Sequence, residues 1–313
     1  MNDESSTRPK LLITGANGFI GTNFIKNFYK NYNIIALTHN NDSLKNLPEA
    51  KNIIIESIDI LENSIIDEIS NYNPNVVLHL ANFGYLRNCE NNPDKTYQIS
   101  VDGLKNIIEI CKKNSSKLIF TSSREVYGET IGDKSSENDK LNPNNVLGKT
   151  KILSENLIKS SSEILKFDYT ILRLSNVFGP HSPSSVIGLM LSHALKNKKI
   201  SVYGGKQTLN LVYIEYVIDI IDKIIRNPEL TKNKILNVGS NENISIIDLA
   251  IKLSNLFNEK IEILKLEPRD SETKHFKPNL KKLHELFNLS YKKTIDEELQ
   301  ETLDWFKKNY NNS

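Results

Sequence analysis

Three glycines near the amino terminus have the spacing of a phosphate-binding turn. The segment Gly15-Ala16-Asn17-Gly18-Phe19-Ile20-Gly21 follows a short apolar run and precedes apolar residues at helical spacing. Where such a turn joins a strand to a helix, free backbone N–H groups and the positive end of the helix dipole point at a ligand phosphate. Gly15 permits the turn, Gly18 lets a pyrophosphate approach the backbone, and Gly21 permits close packing of helix on strand. The predicted phosphate site comprises Gly15, Asn17, Gly18, Phe19, Ile20 and Gly21. The alternative is a turn of purely structural importance.

The elements that must position this loop alternate between strands and helices. We predict strands over residues 10–14, 33–38, 52–57, 76–80 and 117–122. Helical stretches lie between several of them, for example over 93–113, and a long amphipathic helix is predicted over 150–166. Strands that alternate with helices imply an α/β fold with a doubly wound parallel sheet, whose ligand lies at the carboxyl ends of the strands.

Composition excludes several other classes of protein. The chain has 313 residues, and its 40 Lys and Arg nearly balance its 38 Asp and Glu. This balance argues against a general nucleic-acid binder, which would carry a basic excess or stripe. No apolar run approaches the roughly 18 residues of a membrane span, and no His/Cys cluster has the spacing of a metal site. Cys89 and Cys111 are too few for a disulfide framework, so the expected location is the reducing cytoplasm.

Further motifs follow the glycine turn in a fixed order. They are Asp59-Ile60, His79-Leu80-Ala81, Thr121-Ser122-Ser123-Arg124-Glu125-Val126-Tyr127-Gly128, Lys151-x-x-x-Glu155, Arg173-Leu-Ser-Asn176-Val-Phe-Gly179-Pro180, Val202-Tyr-Gly204-Gly205-x-Gln207, Asn237-Val-Gly239 and Pro268-Arg269. With them the chain, from about Lys10 to Lys308, resembles the extended branch of the short-chain dehydrogenase/reductase superfamily. That branch comprises nucleotide-sugar epimerases, dehydratases and 4-keto reductases.

The resemblance implies a Rossmann-like dinucleotide-binding domain and assigns cofactor contacts within it. Asp59 and Ile60 would frame the adenine. Leu80 and Ala81 would run past the phosphates and the nicotinamide ribose. Lys151 would hold that ribose as well as acting in catalysis.

The resemblance also assigns contacts to a nucleotide-sugar substrate. Ser123 would form a hydrogen bond with the reacting sugar oxygen. Asn176 and Arg269 would contact the nucleotide diphosphate, and Gln207 belongs to the same predicted substrate-binding set. Tyr85, in the loop after the fourth strand, is a further candidate for substrate contact or proton transfer.

One position departs from the family pattern where it matters for chemistry. The family carries an activated Tyr four residues before the Lys, and counting back from Lys151 gives Leu147. Choosing Lys149 as the lysine gives Asn145, so neither register restores the phenol. Sugar oxidation must remove a hydroxyl proton as hydride leaves, and leucine cannot accept it. Either another group transfers the proton or the usual reaction is lost.

Glu125 is the most credible substitute for the missing phenol. It lies two residues after Ser123, where the family's dehydratases carry the second carboxylate of an Asp-Glu pair, although the first member here is Arg124. Glu125 could remove a proton next to a sugar ketone while Lys151 assists at the oxygen. The alternative is an ion pair between Glu125 and Arg124 or another surface charge. Tyr127 is a further candidate for proton transfer, but it is expected to be a packing residue.

A second departure concerns the cofactor. The acid that grips the adenosine ribose diol in NAD enzymes falls at Thr38, which is followed by His39 and Asn40. Thr38 and His39 would tolerate or bind a 2′-phosphate, but no Arg follows to clamp it bidentately. The expected cofactor is therefore NAD or NADP.

The chain is expected to divide into a dinucleotide half and a substrate half. Residues 1–175 form the predicted NAD(P)-binding domain, with a loose start over 1–8. Residues 176–313 form a smaller α/β substrate lobe that is partly interleaved with it. The resemblance further implies a homodimer, through the helices over 93–113 and 150–166.

Two functional hypotheses follow. The first is a cytoplasmic NAD(P)-dependent enzyme that oxidises C4 of a nucleotide sugar transiently and then epimerises, dehydrates or reduces it, in synthesis of surface polysaccharide or glycan precursors. The second is a catalytically degenerate NAD(P)-binding protein that acts as a sensor or a structural partner.

Overall fold

A computed structural model of the chain describes residues 8–39, 47–130, 132–268, 273–289 and 292–310. The predicted loose start over 1–8 lies outside the described residues, apart from Arg8. Within the described ranges, none of the helices combines the length and the apolar character that crossing a membrane requires.

The strands build one large parallel sheet and two small ones. They are β1 (Lys10–Thr14), β2 (Asn33–Thr38), β3 (Ile53–Ser57), β4 (Val76–His79), β5 (Lys117–Ser123), β6 (Tyr169–Leu174), β7 (Asn176–Phe178), β8 (Lys199–Tyr203), β9 (Thr208–Tyr213), β10 (Lys234–Val238), β11 (Asn243–Ser245) and β12 (Glu262–Leu266). The large sheet has the order β10-β6-β5-β4-β1-β2-β3, and every pair in it is parallel. The chain winds outward from β1 to β3 and restarts at β4 on the other side of β1. Ligands of doubly wound sheets bind at such a switch point. This confirms the predicted Rossmann-like fold.

Helices cover both faces of the large sheet. They are α1 (Phe19–Phe28), α2 (Ser64–Ser70), α3 (Leu86–Asn91), α4 (Pro93–Tyr97), α5 (Gly103–Asn114), α6 (Val146–Leu165), α7 (Val186–Asn197), α8 (Ile214–Arg226), α9 (Ile246–Asn255), α10 (Lys281–Leu286) and α11 (Ile295–Tyr310). Side chains alternate across the sheet, so Leu11 and Ile13 pack in the core that includes α1 and α8, while Leu12 packs in the core that includes α2 and α5.

Two of the predicted helices differ from those observed. The helix predicted over 93–113 is α4 and α5 joined by a π-helical turn at Gln98–Asp102. The helix predicted from 150 begins at Val146, because the side chain of Asn145 caps its first turn. Residues from 176 onward build the two small sheets, of order β11-β9-β7 and β12-β8, and also contribute β10 to the large sheet.

A buried polar network fixes α6 on the large sheet. Arg173 of β6 donates from Nε and Nη2 to the two carboxylate oxygens of Glu155 on α6, at 3.0 and 2.7 Å. Glu155 also accepts the hydroxyl of Ser122 on β5, at 2.6 Å. The Arg173 Nη1 donates to Tyr127, whose hydroxyl donates to Asn237 on β10. The network therefore sets the position of α6 relative to the carboxyl end of β5.

Replacing Glu155 with Gln is expected to lower the free energy of unfolding by about 3–5 kcal/mol, because it leaves the buried Arg173 charge uncompensated. Denaturant unfolding measures the change. Glu109→Gln is the control, since it breaks an exposed pair with Lys112 and should cost about 0.5 kcal/mol or less. Equal losses in the two variants would contradict a structural role for the network.

Candidate active site

The glycine turn between β1 and α1 leaves its backbone open to a ligand. Gly15 has a φ of +65°, and a Cβ there would lie 3.0 Å from the backbone N of Ala81. A Cβ on Gly21 would lie 2.6 Å from the carbonyl oxygen of Gly15. Gly18 caps α1 without a side-chain hydrogen bond, and the first turn carries no acidic residue. The first N–H groups of a helix have no intrahelical partner, so this turn fits the pyrophosphate of a dinucleotide.

A threonine and a histidine hold the segment that faces this turn. The Thr14 hydroxyl oxygen accepts the backbone N–H groups of Leu80 and Ala81, at 3.2 and 3.1 Å. Its own proton is therefore donated to Nδ1 of His79, at 2.7 Å, which places the His79 proton on Nε2. Burial lowers the pKa of His79 to about 3, and the nearby Lys151 charge acts in the same direction. His79 is thus a neutral positioning residue.

A cavity of about 380 Å³ opens at the carboxyl ends of the central strands. The predicted site residues that line it are Gly15, Gly18, Phe19, Ile20, Gly21, Leu80, Tyr85, Ser123, Glu125, Lys151 and Asn176. Arg124, Leu147 and Ser175 line it as well. The structure therefore brings the glycine turn over 15–21, called the phosphate turn below, and all three predicted catalytic residues to one cavity.

Other predicted site residues lie elsewhere. Those that do not line this cavity are Asn17, Thr38, His39, Asp59, Ile60, Ala81 and Gln207. Gln207 accepts the backbone N–H of Gly205 at 2.8 Å and donates to the Tyr203 carbonyl at 2.5 Å, so it closes the turn after β8. Arg269 lies outside the described residues.

Thr38 and His39 lie at the end of β2, and Asp59 lies two residues after the end of β3. The backbone N–H of Ala16, in the glycine turn, donates to the Leu37 carbonyl of β2 at 3.2 Å. Nδ1 of His39 lies 3.5 Å from Oδ2 of Asp59, and the Asp59 Oδ1 accepts the backbone N–H of Leu61 at 3.0 Å. Ile60 packs beneath α5, where a Cβ on Gly103 would lie 2.6 Å from it. Asp59 is therefore shared between a loop hydrogen bond and His39.

Lys151 is a buried amine at the cavity. Its Nζ donates to the Thr121 carbonyl at 2.9 Å and lies 4.7 Å from the centre of the Phe120 ring. Burial lowers the pKa of Lys151 to about 8, although the nearby Cys89 thiol and Glu155 carboxylate oppose the change. The amine is mostly protonated at neutral pH and can donate to a ligand oxygen.

The Glu125 carboxylate is held from three sides. Oε1 lies 2.8 Å from Nη2 of Arg124, and Oε2 accepts the side-chain amide of Asn145 at 2.7 Å and the Thr273 hydroxyl at 3.5 Å. Its backbone N–H donates to the Ser123 hydroxyl oxygen at 3.2 Å. The alternative of an ion pair with Arg124 is thus observed, and the carboxylate still lines the cavity.

Leu147 lies in the first turn of α6, half-buried, and lines the cavity. Asn145 caps this turn by accepting the Gly148 N–H at 2.9 Å, and Glu90 accepts the Val146 N–H at 2.6 Å. Asn145 was not among the predicted site residues. An Asn just before an apolar helical run is the signal that could have identified it as a cap.

The two candidate tyrosines have different environments. Tyr127 is buried, and its hydroxyl donates to Asn237 at 2.7 Å and accepts from Arg173 at 2.9 Å, so it is a packing residue. Tyr85 occupies the N-cap position of α3, is 41% exposed and lines the cavity.

Asn176, the predicted contact to the diphosphate, donates from its side-chain amide to the Asn210 carbonyl at 3.1 Å.

In the described part of the chain, no group of three or more His, Cys, Asp and Glu side chains could hold a metal ion.

The known proteins that this chain resembles include nucleotide-sugar epimerases and dehydratases. The model of the NAD dependent epimerase/dehydratase family matches residues 11–239. A putative UDP-glucose 4-epimerase of Methanocaldococcus jannaschii is 30% identical over 309 residues, covering 96% of this chain and 99% of that protein. A human dTDP-D-glucose 4,6-dehydratase is 27% identical over 331 residues, covering 97% and 91%. The structure of a UDP-N-acetylglucosamine 4-epimerase of Methanobrevibacter ruminantium M1, in complex with UDP-N-acetylmuramic acid, matches with a TM-score of 0.87 and 25% identity, covering 96% and 99%.

Proposed function

Because the chain belongs to the NAD dependent epimerase/dehydratase family, we propose that it binds a nicotinamide dinucleotide and modifies a nucleotide sugar by transient oxidation at C4. One observation carries this proposal. The cavity of about 380 Å³ is lined both by the phosphate turn and by Ser123, Lys151 and Glu125.

The residues of the turn have a binding role in this proposal. The backbone N–H groups over 15–21 would hold the pyrophosphate, and Lys151 would hold the nicotinamide ribose. When bound, the dinucleotide supplies the acceptor for a hydride from sugar C4. Ser123 would donate its hydroxyl proton to the reacting sugar oxygen, because the Ser123 hydroxyl oxygen already accepts the Glu125 N–H.

Glu125 has the proton-transfer role. Leu147 has no proton acceptor, whereas the Glu125 carboxylate lines the same cavity. As the hydride leaves C4, the C4 hydroxyl proton would pass to solvent water, because Leu147 cannot accept it. Glu125 would then take the proton from the carbon next to the C4 ketone, and the Lys151 ammonium would stabilise the developing negative charge on the ketone oxygen. Proton transfer of this kind leads to epimerisation or to dehydration.

Both dinucleotides are compatible with the adenosine end. Thr38 places no carboxylate against a 2′-phosphate, and His39 can donate to one. The Asp59 carboxylate, 3.5 Å from His39, would instead favour the unphosphorylated ribose of NAD, because it would repel a 2′-phosphate. We therefore propose that NAD and NADP both bind.

A second candidate function rests on Leu147 itself. An apolar side chain, Leu147, lines the cavity, and the resemblance assigns the family's phenol to this residue. A dinucleotide-binding protein that acts as a sensor or a structural partner has no turnover. It would therefore not need a phenol as proton acceptor at this position. The variant Leu147→Tyr, which installs a phenol, separates the two functions.

Oligomeric state and location complete the proposal. Tyr97 on α4 and Leu153 on α6 are 44% and 46% exposed on two helices that pack together. We propose that a homodimer buries this face. Cys89 and Cys111 are buried free thiols, which suits a reducing cytoplasm.

The proposed function predicts binding and turnover in a defined panel. NAD and NADP should both bind to the full chain, and the dinucleotide complex should convert at least one uridine, thymidine, guanosine or cytidine sugar to a shifted product or a 4-keto species. Chromatography and mass spectrometry of the reaction detect either product. A reproducible blank across all four bases, with dinucleotide bound, would contradict the enzymatic proposal.

A further inference from the structure

A buried arginine lines the cavity next to the residues proposed to act in catalysis. Arg124 is 8% exposed and directly follows Ser123 at the end of β5. We infer that Arg124 binds a carboxylate on the sugar ring and so selects acidic nucleotide sugars. The inference rests on the proposed function, since it names the substrate class of the same cavity.

The hydrogen-bonding capacity of Arg124 exceeds the contacts it makes. A guanidinium carries five N–H donors. In the described part of the chain its one polar partner is Glu125, at 2.8 Å from Nη2. Its planar face lies 5.6 Å from the centre of the Phe276 ring, which orients the group without using a donor. Donors therefore remain for a ligand that enters the cavity.

The charges at the cavity point to an anion. Its ionisable lining residues among those described are Tyr85, Arg124, Glu125 and Lys151. Two of these are cationic at neutral pH, and one is a carboxylate whose second oxygen already accepts from Asn145. The two cations thus outnumber the one carboxylate that lines the cavity, buried charge is unfavourable unless it is paired, and a carboxylate offers a guanidinium two parallel hydrogen bonds. A ligand carboxylate would satisfy both requirements.

The position of Arg124 favours the sugar ring over the nucleotide diphosphate as the source of that anion. Arg124 is the chain neighbour of Ser123, which is proposed to contact the reacting sugar oxygen. Asn176, proposed to contact the diphosphate, lies on β7 in a different sheet. A substituent close to the reacting carbon is therefore the group within reach of the guanidinium.

Matched substrates test the inference. UDP-glucuronate and UDP-glucose share base, ribose and diphosphate and differ at C6 in a carboxylate. Calorimetric titration of the full chain loaded with dinucleotide, repeated with the thymidine pair, should show the acid binding about 10-fold tighter or more. Arg124→Met should bring the two affinities to within about 3-fold of each other. Glu125→Gln should increase the preference for the acid, because it removes the carboxylate that competes for Arg124.

Each other outcome has a definite meaning. Equal affinities for acid and neutral sugar in the unaltered protein, or a preference that persists in Arg124→Met, would overturn the inference and leave the proposed function intact. An equal loss for both sugars in Arg124→Met would assign Arg124 to the diphosphate and would also overturn it. Should Arg124→Met fail to fold, Arg124→Lys keeps the charge without the fork, and an unchanged preference in Arg124→Lys or Glu125→Gln would count against the inference. Absence of binding by both members of each pair would overturn the proposed function and this inference with it.

Discussion

Replacing Glu125 with Gln is expected to lower turnover of the nucleotide sugar by about 10²- to 10⁴-fold, the contribution of a positioned general base. The amide keeps the shape of the side chain but cannot take up a proton. Dinucleotide affinity should stay unchanged, because the phosphate turn over 15–21 belongs to a different element. Single-turnover rates and dinucleotide titration measure the two quantities separately.

The control for this variant is Glu129→Gln. Glu129 is exposed, accepts the backbone N–H groups of Lys274 and His275, and does not line the cavity. Thermal unfolding of both variants shows whether Arg124 without its counter-ion has destabilised the site. Unchanged rates in folded Glu125→Gln would remove the proton-transfer role from Glu125.

Local sequence was sufficient to predict the first five strands of the large parallel sheet. The positive φ at Gly15 and the close approach of Gly21 to the Gly15 carbonyl are local features of the turn, whereas the close approach of Gly15 to Ala81 depends on the position of β4. Apolar runs predicted the strands for the same reason. The cavity also contains Ser123, Glu125 and Lys151, whose clustering was expected from the resemblance and from the convergence of strand ends.

The contacts that set the chemistry of Glu125 could not be predicted in this way. Asn145 reaches Glu125 from twenty residues further along the chain, through the cap of α6. The helix was predicted to begin at 150, whereas it begins at Val146, directly after this cap. The pairing of Arg124 with Glu125 was one of two alternatives. A short 3-10 turn over Arg124–Val126, which periodicity does not encode, permits adjacent side chains to meet.

Replacing Leu147 with Tyr is expected to raise C4 oxidation by about 10²-fold or more, because it restores a proton acceptor for the sugar hydroxyl. The new phenol would face the cavity that Lys151 and Ser123 already line. A nearby ammonium favours the phenolate, which lowers the pKa of a tyrosine hydroxyl. Stopped-flow absorbance of the reduced nicotinamide reports the hydride step directly.

Leu147→Phe supplies the matched control, since it adds the same ring without the hydroxyl. A gain in Leu147→Tyr alone assigns the effect to proton transfer, whereas equal behaviour of the two variants would favour the non-catalytic dinucleotide-binding protein. The double variant Leu147→Tyr with Glu125→Gln separates the two proposed proton transfers. If Glu125 acts on the carbon next to the ketone, the phenol accelerates hydride transfer in the double variant without restoring the epimerised or dehydrated product. Full rescue of product formation would instead show that Glu125 serves the hydroxyl proton, in place of the phenol that Leu147 lacks.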